Sequence, residues 1–142
     1  MTTTGKSKRF FDNREVYLTF IATTNEKVAV ADRIIKEFGH IKPAAGTPLR
    51  IFDAGTGDST VLTRVLRAAH GKFPNSPFFI VGKEASEEDV RISLERFGDR
   101  FQEHPQTVII MTNMFYSEAP TLTPRNDEGK AKLVWKEVQL KG

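Results

Sequence analysis

Residues Leu49–Ser59 read LRIFDAGTGDS, and this stretch decides the fold. It opens with a short apolar run, Leu49–Ala54, of the kind that forms a buried strand. Gly55 and Gly57 then allow the backbone to turn sharply, because glycine adopts positive φ at little steric cost. Helical periodicity of apolar residues begins at Val61. The pattern predicts a strand, a glycine turn and a helix.

Two further apolar runs follow, each far enough along the chain to leave room for a helix. Phe78–Val81 reads FFIV and Thr107–Met111 reads TVIIM. Between them, Ser86 and the three acidic residues after it predict a capped helix start, where the helix dipole favours negative charge. Continuous apolar runs are typical of parallel strands. We therefore predict a three-layer, Rossmann-like α/β fold, with a parallel sheet, right-handed crossovers, helices on both faces and a ligand site beyond the carboxyl ends of the strands.

The region before the first strand divides into a leader and a helix. Residues 1–23 are polar at the start and are predicted to be an N-terminal leader, with the domain itself spanning 24–142. Thr23 and Glu26 stand at the spacing of a capping box, which predicts that a helix begins there.

The end of the chain, Ala131–Leu140, reads AKLVWKEVQL. This segment could be a strand or a short helix, and the alternation of Leu133 and Trp135 favours the strand, so the sheet is expected to have three or four strands. An uncovered first strand would be an aggregation hazard. We therefore expect this segment, or a strand from a partner chain, to cover the edge of the first strand.

The composition excludes several kinds of chemistry. The chain of 142 residues has no cysteine, which rules out disulfides, thiolate metal sites, cysteine-ligated clusters and a cysteine nucleophile. The three histidines, His40, His70 and His104, lie far apart in sequence, so we expect no metal site. The absence of cysteine agrees with a reducing cytoplasm.

Charge and hydropathy bear on partners. No apolar run approaches the roughly 18 to 20 residues that span a bilayer, and the start of the chain lacks the apolar region of a signal peptide, so we expect a cytoplasmic protein without membrane contact. The net charge of +3 is small and spread along the chain, and nucleic-acid binding is not indicated.

The charges of the glycine turn limit the classes of ligand that could bind there. Asp53 and Asp58 flank the position where the pyrophosphate of a dinucleotide would lie, and Thr60 stands in place of the third glycine of the dinucleotide fingerprint. Two carboxylates repel an anion, so a cationic or zwitterionic ligand suits the turn better. A nucleotide- or NAD-binding oxidoreductase domain remains an alternative.

Two motifs together resemble a known family. Asp53-x-Gly55-x-Gly57 after the first strand and Gly82-x-Glu84-x-Ser86 after the second are similar to the class I S-adenosylmethionine-dependent methyltransferases. The resemblance implies that the glycine turn lies under the amino-acid part of the cofactor and that Glu84 accepts hydrogen bonds from the ribose hydroxyls. It also implies that the residues after the third strand hold the adenine. The cofactor-binding residues implied in this way are Asp53, Gly55, Thr56, Gly57, Asp58, Glu84, Ala85, Asn113 and Met114.

The resemblance covers the sequence from about Leu49 to Tyr116. The sheet of that family has more strands than the four, at most, that can be counted here, so the chain is expected to be the N-terminal half of a methyltransferase, or to complete its sheet with a second copy or a partner chain. The residue pattern selects no catalytic base and no methyl acceptor. A non-catalytic Rossmann-like interaction module is a second alternative.

Overall fold

The computed structural model describes residues 25–138, which form a parallel sheet with helices between its strands. The three strands are β1 (Leu49–Ala54), β2 (Phe78–Lys83) and β3 (Thr107–Thr112), in the order β1-β2-β3. Leu49 pairs with Phe78, and Phe78 pairs in turn with Thr107, so the three strands start level with one another. All three predicted strands are confirmed. Since they run parallel, their carboxyl ends meet at one edge of the sheet.

One helix precedes β1 and one lies in each of the two connections between strands, as the apolar periodicity predicts. They are α1 (Glu26–Glu37), α2 (Thr60–Lys72) and α3 (Glu87–Glu103). A 3₁₀ turn, Phe38–His40, continues directly from α1. The hydroxyl of Ser86 accepts a hydrogen bond from the backbone N–H of Asp89, which confirms the predicted cap of α3. Thr23 and the predicted leader, residues 1–23, lie outside the described residues.

The helices pack against one face of the sheet, where the main hydrophobic core lies. Its buried members come from α1 and the 3₁₀ turn after it, from α2 and the residue that follows it, and from α3 and β2; they include Leu66, Ile80 and Phe97. The expectation of helices on both faces is wrong for residues 25–138. Because the strand order advances in one direction, successive right-handed crossovers place their helices on the same side. On the opposite face, Phe52 and Val108 are 40% and 54% exposed.

The predicted fourth strand is wrong over the residues that the structure describes. A short helix, α4 (Asp127–Ala131), begins where the side chain of Asn126 accepts a hydrogen bond from the N–H of Gly129. This cap favours helix over strand at that point. Residues 133–138 have no regular structure, and 139–140 lie outside the described part. Among residues 25–138 no strand pairs with the outer edge of β1, so the expected cover of that edge is absent there.

Two histidines are buried at the opposite end of the sheet from the glycine turn. The rings of His70 and His104 stack with centroids 4.9 Å apart, and each meets the ring of Phe78 edge-on. Within residues 25–138, neither ring nitrogen of His70 makes a hydrogen bond, although Glu103 Oε2 lies 3.5 Å from Nδ1. Burial, followed by the neighbouring His104, lowers the pKa of His70, and Glu103 acts in the opposite direction. His70 is therefore a neutral core residue at neutral pH.

No helix within residues 25–138 is both long enough and apolar enough to cross a membrane.

Candidate cofactor site at the carboxyl ends of the strands

The glycine turn, residues Gly55–Ser59, joins β1 to α2 and is tied to the neighbouring strand. Gly55 and Gly57 have φ of +95° and +55°, which are values that side chains disfavour. The backbone N–H groups of Gly55 and Thr56 both donate to the carbonyl oxygen of Lys83 over 3.0 Å. The two glycines predicted from the motif are thus required by the backbone conformation, and the end of β2 fixes the position of the turn.

Ser59 takes a third left-handed conformation in the same turn, with φ of +59°. Its hydroxyl is buried and lies 2.7 Å from the hydroxyl of Ser93, which in turn donates to the carbonyl oxygen of Gly57 at 3.0 Å. These bonds help to offset the steric cost of a side chain at positive φ. They also attach the turn to α3. Ser93 lies far from the motif in sequence and looked like an ordinary helix residue, so sequence reasoning missed it.

Gly82 lies in β2 directly against the side chains of Met111 and Thr56. A Cβ atom there would lie 2.7 Å from Met111 Sδ and 2.8 Å from Thr56 Oγ1. Both distances are well below ordinary van der Waals contact, so any side chain at this position would force Met111 or the glycine turn to shift. This gives a physical reason for the first residue of the Gly82-x-Glu84-x-Ser86 motif.

Asp53 and Glu84 bring two carboxylates to neighbouring strand ends. Asp53 pairs in register with Gly82, two residues before Glu84. Burial, and then the negative charge of Glu84, raise the pKa of Asp53. A carboxylate whose charge is disfavoured in the free protein is suited to a cationic ligand group, because such a group relieves the repulsion.

Glu84 accepts three backbone hydrogen bonds. Its Oε2 accepts from the N–H of Gly57 at 2.8 Å, and its Oε1 accepts from Ala85 and Ser86 at 2.7 and 2.8 Å. Burial opposes ionisation, but the hydrogen bonds from Ser86, Gly57 and Ala85 lower the pKa of Glu84 below its usual value. Glu84 is therefore an ionised acceptor that also connects the glycine turn to the start of α3.

Asp58 has different surroundings from the other two acids. Its carboxylate pairs with Lys27 of α1 at 2.7 Å and with Arg96 of α3 at 3.1 Å. It also accepts hydrogen bonds from the N–H and hydroxyl of Thr60. Burial works against ionisation here, but the bonds from Lys27 and Thr60 prevail and lower the pKa of Asp58 to about 2. Asp58 thus joins α1, α2 and α3, and two cations neutralise its charge.

A cavity of about 600 Å³ opens beside Glu84, between the ends of β2 and β3. Of the predicted residues, Glu84, Ala85, Asn113 and Met114 line it, whereas Asp53 and the residues 55–58 do not. The remaining lining residues are Ser86, Glu87, Val90, Met111, Thr112, Lys132, Leu133, Val134 and Trp135. The structure therefore brings the motif after β2 and the residues after β3 to one cavity, with the glycine turn linked to it through Glu84.

The loop after β3 is held by buried contacts. Glu118 is buried and accepts hydrogen bonds from the N–H groups of Phe115 and Arg125. The ammonium of Lys83 lies 4.9 Å from the centroid of the Tyr116 ring. These contacts fix the loop that carries Asn113 and Met114.

Two of the cavity's walls were not predicted. Val90 lies in α3, and residues 132–135 fall within the segment Ala131–Leu140 that the sequence predicts to be a strand. No local motif marks either one, since each reaches the cavity through the way the chain packs. Within residues 25–138, no group of three or more histidine, aspartate or glutamate side chains is placed to hold a metal ion.

A comparison with protein-family models finds no match to this chain, and a search of curated proteins finds none either.

Proposed function

We propose that this chain binds S-adenosylmethionine and belongs to a methyltransferase. The observation that carries the proposal is the placement of Asp53 and Glu84 at neighbouring strand ends, joined by the glycine turn through the bond from Gly57 to Glu84. The site is anionic and rich in acceptors. A ligand that combines a positive sulfonium, an ammonium and a ribose diol matches it in charge and in hydrogen bonding.

The residues that would hold the cofactor have distinct tasks. One ribose hydroxyl would donate to the acceptor position of Glu84 that its three backbone hydrogen bonds leave open, a charge-assisted bond that is stronger than a neutral one. Asn113 and Met114, which line the cavity, would face the adenine with one polar and one apolar group. Asp53 and the glycine turn would lie beside the charged amino-acid part. When bound, the cofactor supplies a methyl group for in-line transfer, a reaction that depends largely on positioning.

The structure leaves fewer acidic side chains to repel the pyrophosphate of a dinucleotide than the sequence alone indicates. Lys27 and Arg96 neutralise Asp58, so of the two acids that flank the turn only Asp53 would disfavour a pyrophosphate. Glu84 could accept a ribose hydroxyl from either cofactor, so it does not distinguish S-adenosylmethionine from NAD. Competition between the two cofactors for the same chain distinguishes the alternatives.

Calorimetric titration tests the proposal. The full chain is titrated with S-adenosylmethionine, S-adenosylhomocysteine and NAD, and the titrations are repeated with Asp53→Asn. We expect both S-adenosyl compounds to bind and NAD not to bind. The variant should bind S-adenosylmethionine roughly tenfold or more weakly, since a hydrogen bond or ion pair to a charged group contributes about 1.5 to 3 kcal/mol.

A matched control separates loss of the site from loss of the fold. Asp99→Asn makes the same chemical change at an exposed position of α3 and should leave binding unchanged. Asp53→Asn should be at least as stable as the wild type at pH 7. The raised pKa of Asp53 means that its charge is unfavourable in the folded state above the ordinary aspartate pKa. A folded wild-type chain that binds neither S-adenosyl compound would overturn the proposal, as would an Asp53→Asn variant that binds with unchanged affinity.

A further inference from the structure

The strand-end cavity has one wall that comes from the far end of the described chain. Lys132, Leu133, Val134 and Trp135 face the residues that follow β2 and β3 across it. Neither the glycine turn nor the residues predicted to bind the cofactor include this segment. The wall directly follows α4, whose first turn is capped by Asn126.

Two polar groups of this wall have partners outside the cavity. The ammonium of Lys132 pairs with Glu128 within α4 at 2.5 Å, so its charge is balanced there. The backbone N–H of Leu133 donates to the carbonyl oxygen of Lys130. The segment therefore contributes mainly apolar and aromatic surface to the cavity lining.

Trp135 is the largest side chain of the wall, and it is not part of the core. It is 59% exposed although it lines the cavity. Within residues 25–138, no hydrogen bond of the main chain holds residues 134–138 to the sheet. An indole at the mouth of a cavity, on a segment that the sheet does not fix, has room to pack against a bound ring.

We propose that Trp135 is a ligand-binding residue whose indole packs against the flat purine ring of a ligand bound in the strand-end cavity. The purine lies between the indole on one side and the residues after β3 on the other. Stacking on an aromatic side chain stabilises a bound base and tolerates differences between bases, because every base has a π-face. The inference rests on the proposed function, since S-adenosylmethionine would supply the purine.

Fluorescence tests the contact directly, because Trp135 is the one tryptophan of the chain. Titration of the full chain with S-adenosylhomocysteine, and separately with adenosine, should quench or shift the tryptophan emission in step with the binding measured by calorimetry. Trp135→Leu should bind S-adenosylhomocysteine about tenfold or more weakly. Trp135→Phe, which keeps a smaller ring, should recover part of the loss. Phe115→Leu removes a more exposed aromatic that does not line the cavity, and it should bind as the wild type does.

The outcomes separate this inference from the proposed function. If the wild type binds S-adenosylhomocysteine, but its emission does not change and Trp135→Leu binds equally well, the role of Trp135 is refuted and the proposed function stands. If adenosine binds and changes the emission while neither S-adenosyl compound binds, the proposed function fails and the role of Trp135 stands. If a folded wild type binds none of these compounds, both are overturned.

Discussion

Gly82→Ala should destabilise the protein because the added methyl group has no space. The new Cβ would lie 2.7 Å from Met111 Sδ and 2.8 Å from Thr56 Oγ1, whereas comfortable contacts between heavy atoms lie at about 3.5 to 4.0 Å. Thr56 cannot move freely, since its N–H donates to Lys83 and its hydroxyl donates to the carbonyl oxygen of Asp53. Either the glycine turn or Met111 has to shift.

Overpacking of this kind costs about 1 to 3 kcal/mol. For a domain of this size, the melting temperature should fall by roughly 3 to 9 °C. Urea unfolding followed by circular dichroism gives the free energy, and calorimetry gives the melting temperature.

Gly98→Ala is the matched control, because it makes the same change inside α3 at a site where, outside the adjacent residues and the backbone of the helix itself, no atom of residues 25–138 lies within 4 Å of the new Cβ. This variant should be about 0.5 to 1 kcal/mol more stable than the wild type, since alanine favours helix over glycine. The two substitutions are thus expected to have opposite signs. A Gly82→Ala protein as stable as the wild type would refute the close approach on which this reasoning depends.

Three further predictions concern charge, pH and the turn. Asp58→Asn should lose about 1 to 2 kcal/mol of unfolding free energy at pH 7, a figure reduced because the side chain is 25% exposed. The loss should shrink as the pH falls from about 4 towards the folded-state value of about 2. Asp32→Asn, whose ion pair is half-exposed, should cost less than about 0.5 kcal/mol by the same urea assay, and equal losses would contradict the argument. Because the pKa of His70 is lowered, wild-type stability should fall as the pH drops below 6.5, where the unfolded chain takes up the proton first. His70→Leu should make the free energy of unfolding depend less on pH in this range. An unchanged pH dependence would mean that other groups cause it. Ser93→Ala leaves the carbonyl oxygen of Gly57 without its hydroxyl donor and should cost about 1 to 3 kcal/mol by calorimetry; a neutral result would mean that the turn does not depend on this bond.

The strands and the helices between them could be predicted because each is marked by local apolar periodicity. The Leu49–Ala54 strand has the predicted bounds, and the runs that begin at Phe78 and Thr107 are strands as expected. The side of the sheet on which the helices lie could not be predicted in this way, since it depends on the order of the strands. The tail was misread because the alternation around Trp135 resembles a strand, whereas the cap at Asn126 starts a helix just before it.

The candidate site, like the fold, could be predicted only in part from the sequence. Gly55 and Gly57 follow from the need for positive φ, which the structure bears out. The basic partners of Asp58 lie on α1 and α3. No local sequence pattern predicts partners so far away in sequence. The contribution of Trp135 to the cavity also depends on tertiary packing. The local sequence therefore predicted the glycine turn. The surroundings of each acidic side chain could be known only from the folded structure.

The three hydrogen bonds to Glu84 have a consequence for how a ligand would be received. A free glutamate at the surface samples many rotamers, and fixing such a side chain on binding costs about 0.5 to 1.5 kcal/mol. Here the N–H groups of Gly57, Ala85 and Ser86 already hold the carboxylate in one orientation. A carboxylate has about four acceptor positions, so one remains for an incoming hydroxyl. The acceptor is thus preorganised, because the conformational entropy of this side chain is lost when the protein folds and not when the ligand binds.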